Sequence, residues 1–358
     1  MKFVGVDLHK QTITLCVVDH TRAKLDRQRL LCDDEAGLVE YFQSLGEFQA
    51  VVEATASYEW FVKLIEPLAE KVVLAHPKKL RVIAESTRKS DKLDAQVLAE
   101  FLALDMIPTS YRPTPRQRDH RRLVRQRDSI QRRITGVKNR MRRVLSDYNA
   151  DRRDLFSQVG LAAMKDLTFS AADRFALDQM TAELTFQKHQ LQAANRELQT
   201  FAAKAPLRER EYRALLQSIP GVGFVTAEVV LAEIADIDRF DSQKQVVAYA
   251  GLAPGQRESA GRKQELHIEK TGSKHLRWML IEAAWRLVRK APRWRTVYES
   301  LRKRVRAKKA IVAVARRLLG MMVAILKSGQ PYSPVHSESR SAAAVHRSSA
   351  APVAATLP

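Results

Sequence analysis

The sequence predicts a mixed α/β domain at the N-terminus, a basic helical or coiled-coil middle, and a mainly α-helical C-terminal domain. Three observations predict it. Strand and helix signals alternate through the first hundred residues, hydrophobic periodicity turns helical from Arg118, and composition shifts at the proline-bearing stretch YRPTPRQ, residues 111–117. The boundaries that follow are 1–110, 111–210 and 211–330, with a Ser/Ala/Pro-rich tail at 331–358 that is expected to be disordered.

The elements of the first domain follow in order. KFVGVD is a short strand, HKQ a turn, and TITLCVVD a second strand rich in β-branched residues. DEAGLVEYFQSLG has helical spacing, QAVVEA is a buried strand, SYEWFVKLIEPLAE a helix and KVVLAH a strand that stops at Pro77. SDKLDAQVLAEFLALD then reads as a helix with Ser90 as its N-cap. The order β–β–α–β–α–β–α calls for a largely buried sheet.

Beyond the prolines, residues 118–143 read as a helix with an apolar stripe of Leu123, Ile130, Ile134, Val137, Met141 and Val144. Its remaining surface carries Arg121, Arg122, Arg125, Arg127, Arg132, Arg133, Lys138, Arg140, Arg142 and Arg143, with Asp128 among them. A second polar helix spans roughly 171–204, and the spacing fits a helical hairpin or an intermolecular coiled coil equally well. Residues 211–330 read as helices joined by glycine-bearing turns. Within them Trp278 and Trp285, seven apart, are expected in the core.

Composition narrows the function. Lys and Arg number 61 against 40 Asp and Glu, a net charge of +21. Such a surplus repels itself in a compact chain and calls for a polyanionic partner, nucleic acid above all. Cys16 and Cys32 cannot build a disulfide framework and lack metal-ligand spacing, which fits a reducing compartment. The N-terminus lacks the apolar core of a signal peptide. The most apolar run, IVAVARRLLGMMVAILK, is broken by Arg316 and Arg317 and reads as a buried amphipathic helix. A cytoplasmic protein with no membrane partner is expected.

Four acids stand out in the first domain. Asp7 ends the first strand and Glu53 ends QAVVEA, while Asp91 and Asp94 lie three apart at a helix start and so share a face. Converging carboxylates need cations between them, and hard oxygen ligands suit Mg²⁺ or Mn²⁺. Spacing alone leaves the chance reading open, because acids also favour helix N-termini.

Local context goes further. FVGVDLHKQT, VVEATASYEW and RKSDKLDAQVLAEFL resemble, in order and spacing, the N-terminal domain of DEDD-type insertion-sequence transposases. This is the insertion-sequence family numbered one hundred and ten, also called bridge-RNA-guided recombinases. IPGVGFVTAEVVLAEI, VAYAGLAPGQRESAGRKQE and KTGSKHLRWMLIEAAW resemble that family's second domain. The resemblance implies a RuvC-like, ribonuclease-H-type fold for the first domain, with Asp7, Glu53, Asp91 and Asp94 as its metal-binding acids. It implies Ser259 as the nucleophile of the second, with Ser273 as the fallback. Two residues depart from the family pattern, Ala56 and Ala260, each standing where glycine is usual.

The activity so implied is cutting and rejoining of donor and target DNA through a serine-linked intermediate, guided by a non-coding bridge RNA. A homo-oligomer, dimer or tetramer, is implied as the acting form. The alternatives are a metal-dependent nuclease that uses water, and a nucleic-acid-binding protein without catalysis. The basic helix, through Arg121, Arg122, Arg125, Arg132, Arg133, Lys138 and Arg140, is expected to hold phosphates. Arg262, Lys263, Lys274 and Arg277 are expected to bind DNA near the serine. Gly221 and Gly223 of IPGVGF suit a phosphate-binding helix–hairpin–helix turn, although a plain turn between packed helices has the same sequence.

Overall fold

The computed structural model describes residues 1–54, 58–83, 91–259 and 262–334; at 81–83, 91–93, 256–259 and 262–266 it describes the backbone alone. The expected N-cap Ser90, the departures Ala56 and Ala260, and the tail from 335 lie outside the described residues. The chain divides into two compact units, Met1–Arg112 and the remainder from Pro113.

The first unit runs β1 (Lys2–Leu8), β2 (Thr12–Val18), β3 (Lys24–Leu31), α1 (Glu35–Ser44), β4 (Phe48–Glu53), α2 (Tyr58–Ile65), β5 (Lys71–Ala75), α3 (Pro77–Ile83) and α4 (Asp91–Ala103). The strands form one sheet in the order β3-β2-β1-β4-β5. β1, β2 and β3 pair antiparallel, whereas β1, β4 and β5 pair parallel. Two-residue alternation puts Val4, Val6, Ile13, Leu15 and Val17 on one face, where they pack with Phe42, Phe48 and Phe61. Cys16, Val18, Val51 and Val73 line the other face, beneath Ala95, Leu98, Ala99 and Leu102 of α4.

Gly5 sets how close α4 comes. A Cβ at this position would lie 2.0 Å from the Ala95 carbonyl oxygen and 2.5 Å from the Ala99 nitrogen, so only glycine lets the helix rest on β1.

β3 and α3 are not among the elements that the sequence periodicity predicts. KLDRQRLL is a polar strand, with Leu25 and Leu31 both more than half exposed, so it lacks the burial that makes alternation visible. Its charged side chains suit a sheet edge, and only pairing with β2 makes it a strand.

The second unit begins with α5 (Pro115–Asp147), then α6 (Gln158–Lys165), α7 (Ala171–Ala203), α8 (Leu207–Gln217), α9 (Phe224–Ile234) and α10 (Gln243–Tyr249). The hairpin β6 (Pro254–Ser259) and β7 (Arg262–Ile268) follows, then α11 (Lys274–Lys290), α12 (Pro292–Arg304) and α13 (Ala307–Ser328). Pro115 does not break α5 but opens it. It occupies the first turn, where its missing N–H is harmless, and Thr114 and Gln117 close a capping box.

α5 and α7 pack on each other within the chain. Ile130, Ile134, Val137, Met141 and Leu145 meet Leu177 and Leu184. Arg127 bonds Asn195 while Arg140 bonds Glu183, so the helices run antiparallel. Of the two arrangements that the spacing allowed, the intrachain hairpin forms. The N-terminal half of α5 continues onto α9 and α11 through Val124, Val229 and Met279. α13 is buried along Ile311, Val314, Leu318, Met322 and Leu326 in the core that α9, α10 and α11 share. Among the described residues no helix is long and apolar enough to cross a membrane.

Candidate active site and nucleic-acid interface

Parallel pairing of β1 with β4 runs in register from Lys2 with Phe48 to Val6 with Val52, which leaves Asp7 and Glu53 as the next step on adjacent strands. Asp7 shares the face of Phe3 and Gly5; Glu53 shares that of Val51, the face α4 covers. Along β1, Phe3 packs near Ala103 and Gly5 beneath Ala95 and Ala99. Two strand residues advance about 6.6 Å and four helix residues about 6 Å, so the next step pairs Asp7 with the first turn of α4. That turn holds Asp91 and Asp94.

The arrangement therefore places Asp7, Glu53 and Asp94 toward one end of the sheet, with the backbone of Asp91 in the same turn, although the three carboxylates do not all lie within 4.8 Å of one another; the Asp91 side chain lies outside what is described. Asp7 and Asp94 are half-buried, and Thr14, opposite Asp7 on β2, is buried. His9 hydrogen-bonds the Asp7 carboxylate at 3.1 Å across the turn after β1. His9, two residues beyond Asp7, is not among the residues that the sequence motifs single out.

The residues on either side of Ala260 and Gly261 are strands, β6 and β7. β6 pairs antiparallel with β7, and Ser259 faces Arg262 in the last pair of the ladder. The side chains of Ser259, Arg262 and Lys263 lie outside what is described. The roots of the hairpin are firmly held. The Glu269 amide donates to the Ala253 carbonyl at 3.0 Å, and the Ser273 amide donates to Tyr249 at 2.8 Å. Arg277 donates to the Ala250 carbonyl at 3.3 Å, so it braces the segment leading into β6.

Ser273, the fallback, stands at the start of α11. Its hydroxyl accepts from the Leu276 amide at 3.2 Å as the N-cap of α11 and donates to Glu233 at 2.9 Å. A hydroxyl engaged on both sides is a structural cap.

Comparison with known proteins joins the two regions. Residues 4–150 match the DEDD transposase model of the IS110 type, and residues 213–299 match the model described as the transposase IS116/IS110/IS902 family. The chain belongs to the IS110 family of DEDD transposases. It is similar to the transposase for insertion sequence element IS1111A of Coxiella burnetii, 26% identical over 341 residues, covering 93% of this chain and 91% of that protein. It is also similar to the transposase for insertion sequence element IS1328 of Yersinia enterocolitica, 25% identical over 293 residues, covering 78% and 82%. The pilin gene-inverting protein of Moraxella lacunata is 26% identical over 352 residues, covering 92% and 97%. The protein is a DNA transposase, and the two matched regions contain the acids and the serine respectively.

The transposase uses much of its basic helix internally. Arg121 donates to the Ala232 and Glu233 carbonyls at 3.2 and 3.4 Å, satisfying the C-terminal end of α9. Arg125 makes a bidentate pair with Glu233, and His120 bonds Glu228 at 2.8 Å. Asp128 accepts from Arg132 and, at 2.7 Å, from His275 of α11. Arg140 pairs with Glu183, and Lys138 lies over the Phe156 ring. Arg122, Arg133 and Arg143 are exposed, and Arg125, Arg132 and Arg140 are exposed too beside their acid partners. Charge counting along α5 overlooked acids that arrive from α9 a hundred residues later.

Both α9 carboxylates are buried. Burial by itself would raise them, but hydrogen bonds from His120 and Arg213 hold Glu228 below the usual carboxylate range, and those from Arg125 and Ser273 do the same for Glu233. Among the described residues, His120, Glu209 and Glu228 form the cluster of ligand-type groups within 4.8 Å of one another. Arg116 and Arg213 already neutralise its carboxylates. An added dication would meet two guanidinium groups, so the cluster is an ion-paired joint of α5, α8 and α9 rather than a metal centre.

The two tryptophans of α11 are not in the core. Trp278 is 43% and Trp285 37% exposed. Their seven-residue spacing matched a buried stripe, but the buried face of α11 is Leu276, Leu280, Ala283 and Leu287.

Gly221 has φ +85° and sits against Arg286 of α11, whereas Gly223 is exposed and begins α9 without a side-chain cap.

Proposed function

We propose that the transposase cuts and rejoins DNA with two sets of groups: carboxylates Asp7, Glu53, Asp91 and Asp94 on a ribonuclease-H-type sheet, and Ser259 as nucleophile. The observation that carries this reading is the register of β1 and β4, which brings Asp7 and Glu53 level on the face that α4 covers with Asp94. Half-buried carboxylates on adjacent strands, with no arginine or lysine bonded to Glu53 or Asp94 among the described contacts, fit a divalent cation. Mg²⁺ or Mn²⁺ bound there would polarise the scissile phosphate and stabilise charge on the leaving oxygen.

The chain's own groups would do the rest. The Ser259 hydroxyl attacks phosphorus and the bond from phosphorus to the 3′ oxygen breaks. The serine proton ends on that oxygen. The products are a phosphoserine-linked DNA end and a free 3′-hydroxyl. One phosphoester replaces another, so the step reverses when a different 3′-hydroxyl attacks. Arg262 and Lys263, next to the serine in the hairpin ladder, supply positive charge for the phosphate, and Lys274 adds to it from the start of α11. The ladder supports this reading because it holds Ser259 at a strand end instead of a free loop.

The phosphate contacts fall to Arg122, Arg133 and Arg143 on the outer face of α5, and to the amides around Gly223 as one limb of a helix–hairpin–helix turn. A bridge RNA would read donor and target by base pairing while the protein reads backbone and shape. The acting form is a homo-oligomer, dimer or tetramer, in the cytoplasm. Inversion, the action in the name of the Moraxella relative, is the same strand exchange between two sites of one molecule.

The test is trapping. Incubation with DNA, RNA and Mg²⁺ should give a covalent protein–DNA adduct that disappears in Ser259→Ala. Cleavage that persists unchanged in Ser259→Ala would assign the chemistry to water and the four acids alone. Mn²⁺ should raise the melting temperature of the wild type and not that of Asp7→Asn or Asp94→Asn.

A further inference from the structure

We propose that the exposed face of α11 is a stacking platform for unpaired bases of single-stranded DNA. Lys274, Trp278, Ile281, Trp285 and Arg289 follow one another at spacings of four, three, four and four, so they form one stripe on the helix. Trp278 and Trp285 keep 43% and 37% of their surface in contact with solvent, and Lys274 and Arg289 at the stripe's ends are exposed.

Leu276, Leu280, Ala283 and Leu287 fill the core on one side of α11, so the two indoles on its other side keep large open faces. Trp285 meets Tyr298 edge-on, at 5.3 Å between centroids, and Trp278 lines a small pocket between α5 and α11 together with Arg127.

The occupant follows from charge and shape. Cations flank flat apolar faces, which matches a strand whose phosphates run past Lys274 and Arg289 while its bases lie on indole rings. Duplex DNA hides its base faces and offers only phosphates. Seven helical residues separate the rings by about 10 Å, a span of about three stacked nucleotides. An enzyme that moves strands from one partner to another must hold them unpaired during the exchange. The stripe belongs to the established transposase activity and does not rest on Ser259 being the nucleophile.

The experiment is a titration of the full chain with oligothymidylate of about 15 nucleotides, read by tryptophan fluorescence in a Trp60→Phe background. Quenching on binding is expected. Trp278→Ala and Trp285→Ala should each weaken single-strand binding about ten-fold, and Trp278→Phe should restore most of it. Duplex affinity should move less than about two-fold. Absence of quenching in the Trp60→Phe protein overturns the proposal without reference to any α11 variant. So does an equal loss for duplex and single strand, or a change of oligomeric state in the alanine variants, which would give the stripe to a second copy. Oligouridylate that binds more tightly with the same variant losses would assign the platform to RNA and overturn the DNA assignment.

Discussion

Arg125 of α5 grips Glu233 of α9 with two hydrogen bonds, at 2.8 and 3.0 Å, across 108 residues of sequence. The carboxylate is fully buried and the guanidinium side chain is 45% exposed. Loss of either partner is therefore unequal. Arg125→Ala leaves a buried carboxylate with, among the described residues, only the Ser273 hydroxyl bonded to it and should cost about 3 kcal/mol. Glu233→Gln leaves a guanidinium that water can reach and should cost about 1 kcal/mol. Urea denaturation of both variants measures the difference, and the opposite ranking would refute the asymmetry.

Acid should loosen the same joint. Glu228 and Glu233 are held below their unfolded carboxylate range, so the stability they contribute is present above about pH 4.3 and is lost as pH falls through their folded values. Denaturation midpoints measured from pH 6 to pH 3 should fall, and fall less steeply in Glu228→Gln and Glu233→Gln. Identical slopes in wild type and variants would place the acid sensitivity elsewhere.

Gly5→Ala tests the seat of α4. Its new Cβ would stand 2.0 Å from the Ala95 carbonyl oxygen, so the helix must lift. Destabilisation of the first unit by about 3 kcal/mol is expected, with loss of strand transfer as Asp94 moves from Asp7 and Glu53. A variant that melts and reacts like the wild type would show that α4 does not rest on β1 so closely.

Ser273 and Ser259 should separate by phenotype. Ser273→Ala removes an N-cap and should lower stability by about 1 kcal/mol while keeping the covalent DNA adduct. Ser259→Ala should lose the adduct with little change in melting. Adduct loss in Ser273→Ala at a temperature where the variant is folded would transfer the chemistry to α11.

The arginines of α5 should also divide into two groups. Arg122→Gln and Arg133→Gln should each lower the salt dependence of duplex binding by about one ion, because both point outward. Arg121→Gln, which removes donors from the end of α9, should instead show its effect in denaturant.

Alternation and register explain what could be read in advance. Asp7 follows Phe3 and Gly5 by twos, and Asp91 and Asp94 share a helix face. The candidate acids were therefore legible from local periodicity, and the flanking motifs marked out Ser259. The α5–α7 pair was legible as two amphipathic helices. β3 was not, because an exposed edge strand has no apolar alternation to reveal it. The hairpin of β6 and β7 was hidden for a related reason, since its stretch is short and polar.

The sequence by itself determined the alternating α/β order, the helical remainder, the positive charge and the positions of the four acids and the serine. These depend on neighbours within a few residues, where backbone geometry alone sets which side chains share a face. Tertiary structure decided what each charge and aromatic ring is for. Arg125 and His120 became internal partners of α9, Ser273 became a cap, and Trp278 and Trp285 stayed in solvent. A side chain's hydrogen-bond partner or burial depends on residues a hundred or more positions away, and no local pattern records which of them will arrive.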